Sequence, residues 1–176
     1  EAVQGNTDKY VLFMDNRKAF DSIHHCFIFA SLEKQGFPAW VVSLVKNLME
    51  GAMVEPLLAP GFSIGIERGV KQGCPLSPLL FILVYDILHH KLVKNESLEI
   101  MAAADDLAVT ADSIDLVCSA FPVIDEYCQV SGLGVNRDKT EIISARNTGV
   151  DYNRASETIA RSAWPLVKMA SKHKYL

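Results

Sequence analysis

Residues 100–111 read IMAAADDLAVTA, two runs of small and β-branched apolar residues broken at their centre by adjacent acids, Asp105 and Asp106. The pattern predicts a β-hairpin whose flanks are buried in a sheet and whose turn carries charge at the sheet's end. Two neighbouring carboxylates repel each other unless a cation neutralises them. One reading is therefore a divalent-metal site, because Mg²⁺ takes carboxylate oxygen and keeps open positions for substrate phosphates. The other is a solvated turn, since Asp is a common turn former.

On the C-terminal side of the hairpin, Asp112 or Ser113 caps a predicted helix that reaches Val130 and ends at Gly132, with Val117, Phe121, Ile124 and Cys128 on one side. Pro122 falls inside that helix and predicts a kink or a break. KTEIIS at 139–144 alternates as a last strand with Lys139 at its start, and Ser156 to Trp164 reads as a short amphipathic helix. On the N-terminal side, GVKQGCPLSP at 69–78 is a loop punctuated by glycine and proline. Ser77 and Pro78 then signal the start of a long helix to about Val93, with Leu79, Leu80, Leu83, Ile87 and Leu88 as its core face. Gly69 and Gly73 let backbone approach a ligand closely, and the Gln72 amide can touch a base or sugar. The same loop also reads as a rigid connector.

Further out, YVLFMD at 10–15 is a β-favouring run that ends in Asp15, at the carboxyl end of a strand where open α/β sheets place ligands. Phe20 follows as a loop aromatic, and Ser22 is the expected cap of a helix through Gln35. Pro38 opens a second helix with Trp40, Val41, Leu44, Val45 and Leu48 as one apolar stripe, closed by Gly51. From 52 to 67 an irregular crossover is expected, with FSIGIE as one strand. His24, His25, His89 and His90 fall on helices without a partner at metal spacing and read as surface residues.

The order strand, helices, glycine-rich loop, helix, hairpin, helix, strand gives an α+β class. Its expected architecture is a split βαβ (ferredoxin-like) fold, with an antiparallel sheet covered by helices on one face. In such a sheet the first strand can lie against the hairpin, which brings Asp15 and Asp105 within reach of one metal ion.

At 176 residues and 49% hydrophobic content the chain suits a single core. Lys and Arg number 17 against 21 acids, and a net charge of −4 without a dense basic run counts against strong autonomous grip on nucleic acid. Cys26, Cys74, Cys118 and Cys128 have no CxxC spacing and suggest neither a zinc clamp nor a disulfide framework. No targeting signal is visible, and the apolar run Leu79–Val84 is too short for a membrane span, so the expectation is a soluble protein with no membrane partner and an open compartment, nucleus or cytoplasm.

FMDNRKAFDSI, GVKQGCPLSPLLF, AADDLAV and GLGVNRDKTEII stand in order over residues 10 to 145, and KYL stands at the end. This series resembles the palm motifs of reverse transcriptases, most closely those of non-LTR retrotransposons. The resemblance implies RNA-templated DNA synthesis by two-metal nucleotidyl transfer, with Mg²⁺ (or Mn²⁺) as cofactor. It makes Asp15 and Asp105 the metal ligands, Asp106 their support and Lys139 a catalytic cation near the triphosphate. Phe20 is then the gate against the incoming sugar's 2′-hydroxyl, and Gln72 and Gly73 belong to the loop that contacts template and nucleotide. RNA template, DNA primer and deoxynucleotides are the implied partners. The implied organisation is a palm-like domain at 1–146 without fingers and a helical extension at 147–176 toward a missing thumb. Such a palm is expected to be inactive without those parts, which the parent polyprotein would supply. Ala103 departs from the family, which has an aromatic there. That departure and the acidic charge keep open a second reading, an inert palm-derived module in a larger assembly. A metal-dependent nuclease or cyclase would also use paired acids but leaves QGCPLSP unexplained.

Overall fold

A computed structural model describes residues 9–144 and 149–170. At its centre lies β1 (Tyr10–Met14), antiparallel to β5 (Asp106–Ala111) on one side and to β6 (Glu141–Ser144) on the other. β4 (Glu99–Ala103) pairs with β5 across the expected hairpin, and β7 (Lys168–Ala170) joins β6 in parallel, giving the order β4-β5-β1-β6-β7. The 139–144 strand is therefore not the last, and one edge of the otherwise antiparallel sheet is parallel.

The period-2 side-chain alternation of strands decides which face is covered. Tyr10, Leu12 and Met14 of β1 and Leu107, Val109 and Ala111 of β5 are buried. They lie beneath α5 (Ile114–Ser131), which packs on both strands, and α4 (Leu76–Val93) packs in turn on α5 and β4. Phe13 and Met101 point the other way and are exposed. The helices thus cover one face, as the split βαβ pattern predicts.

Several helix boundaries differ from expectation for identifiable reasons. Ser22 does not cap the helix that follows it. Its hydroxyl donates to the carbonyls of Arg17 and Lys18, which ends a short α1 (Ala19–Ser22), and α2 (His25–Lys34) begins after it. Phe20 accordingly sits on α1, not in a loop. Ser77 likewise donates to the Lys71 carbonyl at 2.7 Å, closing the preceding loop, and α4 starts at Leu76. On α3 (Ala39–Met49) the buried residues are Val42, Val45 and Met49, while Trp40, Leu44 and Leu48 are at least half exposed. The helix is apolar around most of its girth, so periodicity misassigned the face that docks. Residues 52–67 form β2 (Met53–Val54) and β3 (Ile64–Gly65), a small separate hairpin in which FSIGIE shrinks to two paired residues.

α5 is capped as predicted, with the Leu116 amide donating to Ser113 Oγ and Gly132 left-handed at φ 82°. It runs unbroken through Pro122, because Phe121 and Ile124 on either side are fully buried and hold the backbone in place. α6 (Gly149–Arg161) is longer than the predicted 156–164 helix and precedes a buried Trp164, which stacks on Phe121 with ring centroids 4.4 Å apart. α4 is long and apolar enough to cross a bilayer, yet it is the core helix, with Phe81, Val84, Leu88 and Leu92 buried.

Candidate active site

The acids gather where β1 ends. Continuing the β1–β5 register one step beyond Met14↔Leu107 sets Asp15 opposite Asp106. The two line one concavity of about 400 Å³ on the open sheet face, together with Lys139, Phe13 and Met101. The backbone of Asp15 is tied at both ends, its amide donating to Thr140 Oγ1 at 3.3 Å and its carbonyl accepting from the Asn136 amide at 2.8 Å. Its carboxylate is thereby held at the strand end while remaining half exposed.

Asp105 occupies a two-residue turn with Ala104, between the paired Ala103 and Asp106. Ala104 has φ 55°, a left-handed value that costs a residue with a Cβ of order 1–3 kcal/mol. The surroundings hold it there. Asn16 Nδ2 donates to the Asp105 carbonyl at 2.6 Å and to the Tyr85 hydroxyl at 2.9 Å, so α4 and the loop after β1 both grip the turn. Burial pushes the Tyr85 phenol well above its ordinary range, which keeps the hydroxyl neutral. Asn16 Oδ1 is buried without a protein partner.

A second concavity, about 430 Å³, brings together Phe20, Gln72 and Gly73 with Lys71 and Pro78. Phe20 stacks on Phe81 of α4 at 4.4 Å, which fixes one face of its ring. The loop beneath it is pinned by glycine. A Cβ on Gly69, at φ 79°, would come within 2.7 Å of the Asp21 backbone, and the Val70 amide donates to the Phe20 carbonyl at 2.7 Å. Gln72 Nε2 donates to Asp21 Oδ1 at 3.2 Å. Thus Asp15, Asp106 and Lys139 share one hollow and Phe20, Gln72 and Gly73 share another, while Asp105 lines neither.

The family model for reverse transcriptase (RNA-dependent DNA polymerase) matches residues 1–176. This chain is a member of the reverse transcriptase family. Among its relatives is the Pol polyprotein of the type-2 retrotransposable element R2DM of Drosophila melanogaster, 32% identical over 181 residues, 95% of this chain and 17% of that protein. The Pol polyprotein of a type-1 R2 element of Popillia japonica is 30% identical over 151 residues, 79% of this chain and 21% of that protein. The chain thus spans about a fifth of the length of these curated relatives. Apo telomerase from Candida tropicalis, truncated from its C-terminal domain, shares the fold with a TM-score of 0.67 at 17% identity, covering 81% of this chain and 32% of that one. Telomerase of the same organism with a fragment of telomeric RNA gives 0.67 at 15% identity, covering 82% and 28%.

In this reverse transcriptase domain the acid-bearing hollow offers carboxylate oxygens and no thiol or imidazole, a donor set that suits Mg²⁺ or Mn²⁺. Sequence reasoning missed Asn16 and Tyr85, whose roles exist only across the fold. It also missed a third hollow of about 370 Å³, where Asp21, His25 and Arg68 rim an apolar floor of Met49, Ile66 and Leu80. The histidines need correction as well. His24 stands before α2 and is bridged to Arg68, His25 Nε2 bonds the Gly69 carbonyl at 2.8 Å, and His89 and His90 do have a carboxylate partner on α4.

Proposed function

We propose that this domain is the palm of a non-LTR retrotransposon polymerase, which adds deoxynucleotides to a DNA primer on an RNA template. The observation that carries the reading is the meeting of Asp15 and Asp106 at one sheet end, with Asp105 in the adjoining turn, in a chain of the reverse transcriptase family. In the reaction the primer 3′-oxygen bonds to the α-phosphorus, the bond to pyrophosphate breaks, and the hydroxyl proton leaves to solvent or a nearby base. Asp15 and Asp105 would hold the divalent ions, with Asp106 beside them. Bound there, two ions supply activation of the hydroxyl and neutralisation of the leaving group.

Lys139 shares the hollow and adds positive charge near the triphosphate. Phe20, held against Phe81, would be the gate against the incoming sugar's 2′-hydroxyl, and Gln72 with Gly73 in the same hollow would contact template and nucleotide. Because the chain spans about a fifth of its relatives and carries net charge −4, most of the grip on primer and template would fall to other parts of a longer polyprotein.

Primer extension on an RNA template with Mg²⁺ or Mn²⁺ tests the reading, in the parent polyprotein and in this chain alone. Extension is expected from the parent and not from the 176-residue chain. It should vanish in the parent carrying Asp15→Asn or Asp105→Asn, and extension retained in both variants overturns the metal-ligand assignment. A parent that never extends a primer favours the inert module, for which Ala103 and the acidic charge speak.

A further inference from the structure

Among the described residues, the three side chains whose ligand atoms lie within 4.8 Å of one another are not the acids of the sheet but Asp86, His89 and His90 on α4. Positions three and four apart on a helix share a face, so both rings stand over the Asp86 carboxylate. His90 Nδ1 lies 3.0 Å from Asp86 Oδ2 and 3.0 Å from the Asp86 carbonyl oxygen, which leaves Nε2 as the ring nitrogen for a metal. The centroids of the two rings are 6.1 Å apart and their planes nearly perpendicular.

We propose that Asp86, His89 and His90 form a binding site for one borderline transition-metal ion such as Zn²⁺, distinct from the carboxylate site at the sheet end. Zinc bonds nitrogen and oxygen at about 2.0–2.2 Å, which puts neighbouring ligand atoms about 3.3 Å apart in a tetrahedron. Closing from 4.8 Å needs only rotamer changes of side chains that are exposed or half-buried. Two imidazoles with one carboxylate favour zinc, cobalt or nickel over magnesium, whereas the sheet end presents oxygen donors only.

The setting favours a cation. Both histidines lie in the last turns of α4, where the helix dipole is negative, and the neighbouring Lys91 is held away by Glu126 at 3.1 Å. Asp86 and His89 also line a groove of about 300 Å³ against Ala102 and Ala104 of the hairpin, with His90 outside it.

Titration of the 176-residue chain with Co²⁺ decides the matter, read by the visible ligand-field spectrum and by calorimetry. One saturable site is expected, displaced by Zn²⁺ and indifferent to excess Mg²⁺. His89→Asn and His90→Asn should each weaken it at least about tenfold, with far-UV circular dichroism unchanged, and Asp15→Asn should leave it intact. Absence of saturable binding overturns the proposal. So does binding that survives the double histidine variant, or a thiolate-to-cobalt charge-transfer band, which would put the ion on a cysteine.

Discussion

The two faces of the central sheet are made by the same strands, yet they serve opposite ends. Leu12 and Val109 are wholly buried beneath the helices, while one residue along each strand Phe13 and Ala108 face the hollow that holds Asp15, Asp106 and Lys139. The covered face supplies rigidity, and the open face is where the proposed chemistry would use it. Alternation lets a five-residue strand do both, because a carboxylate placed on the outer face displaces nothing from the core.

If that division holds, stability and synthesis should separate by face. The largest effect is expected from Asp15→Asn, which should cut primer extension by the parent polymerase about a thousandfold, the equivalent of several kcal/mol of lost charge stabilisation. Its urea midpoint should stay near wild type. Leu12→Ala on the covered face should do the reverse, costing about 2–5 kcal/mol in urea unfolding and lowering activity only as far as folded protein is lost.

Tyr85→Phe tests the join between the faces. It removes the hydroxyl that receives Asn16, so about 1 kcal/mol of stability should go and the Mg²⁺ concentration needed for half-maximal extension should rise. A pH effect confined to the helical layer tests the covered face separately. Burial pushes the Cys128 thiol up to about 11, above its ordinary value of 9.0, so the folded state favours the protonated thiol. Stability is therefore full below the ordinary value and falls as pH rises through about 11, and Cys128→Ala should lessen that fall, the share left belonging to Cys118, whose thiol burial also raises to about 11. Smallest of all, Trp40→Ser on the outward side of α3 should change the free energy of urea unfolding by no more than about 0.5 kcal/mol, since Trp40 is 70% exposed.

What the sequence made legible follows from the range of the forces involved. The turn at Asp105 and Asp106, the Ser113 and Gly132 caps and the placement of Asp15 at a strand end are local patterns, and the structure contains each, but of the hairpin's two expected buried flanks only β5 is buried, because β4 is an edge strand left almost wholly exposed. Ser22 and Ser77 misled because a serine that can cap a helix can equally close the turn before it, and only the distant geometry selects. α3 misled because a helix apolar on most sides carries no periodic cue to which side docks. Asn16 and Tyr85 were invisible for a different reason. Neither residue type signals anything alone, and the bonds that tie Asn16 to Tyr85 and to the Asp105 turn join positions 69 and 89 apart.

The pairing of β1 also sets a timetable. β1 is the first of the described strands in the chain, yet its partners β5 and β6 follow roughly a hundred residues later, so on a ribosome moving at about 5–20 residues per second it waits on the order of 5–20 s with both edges bare. A strand with two open edges is a template for pairing with another nascent chain. The most central strand of the finished sheet is thus the most vulnerable during its making, and slowing elongation between residues 15 and 106 should increase aggregation of the newborn protein more than slowing it anywhere downstream.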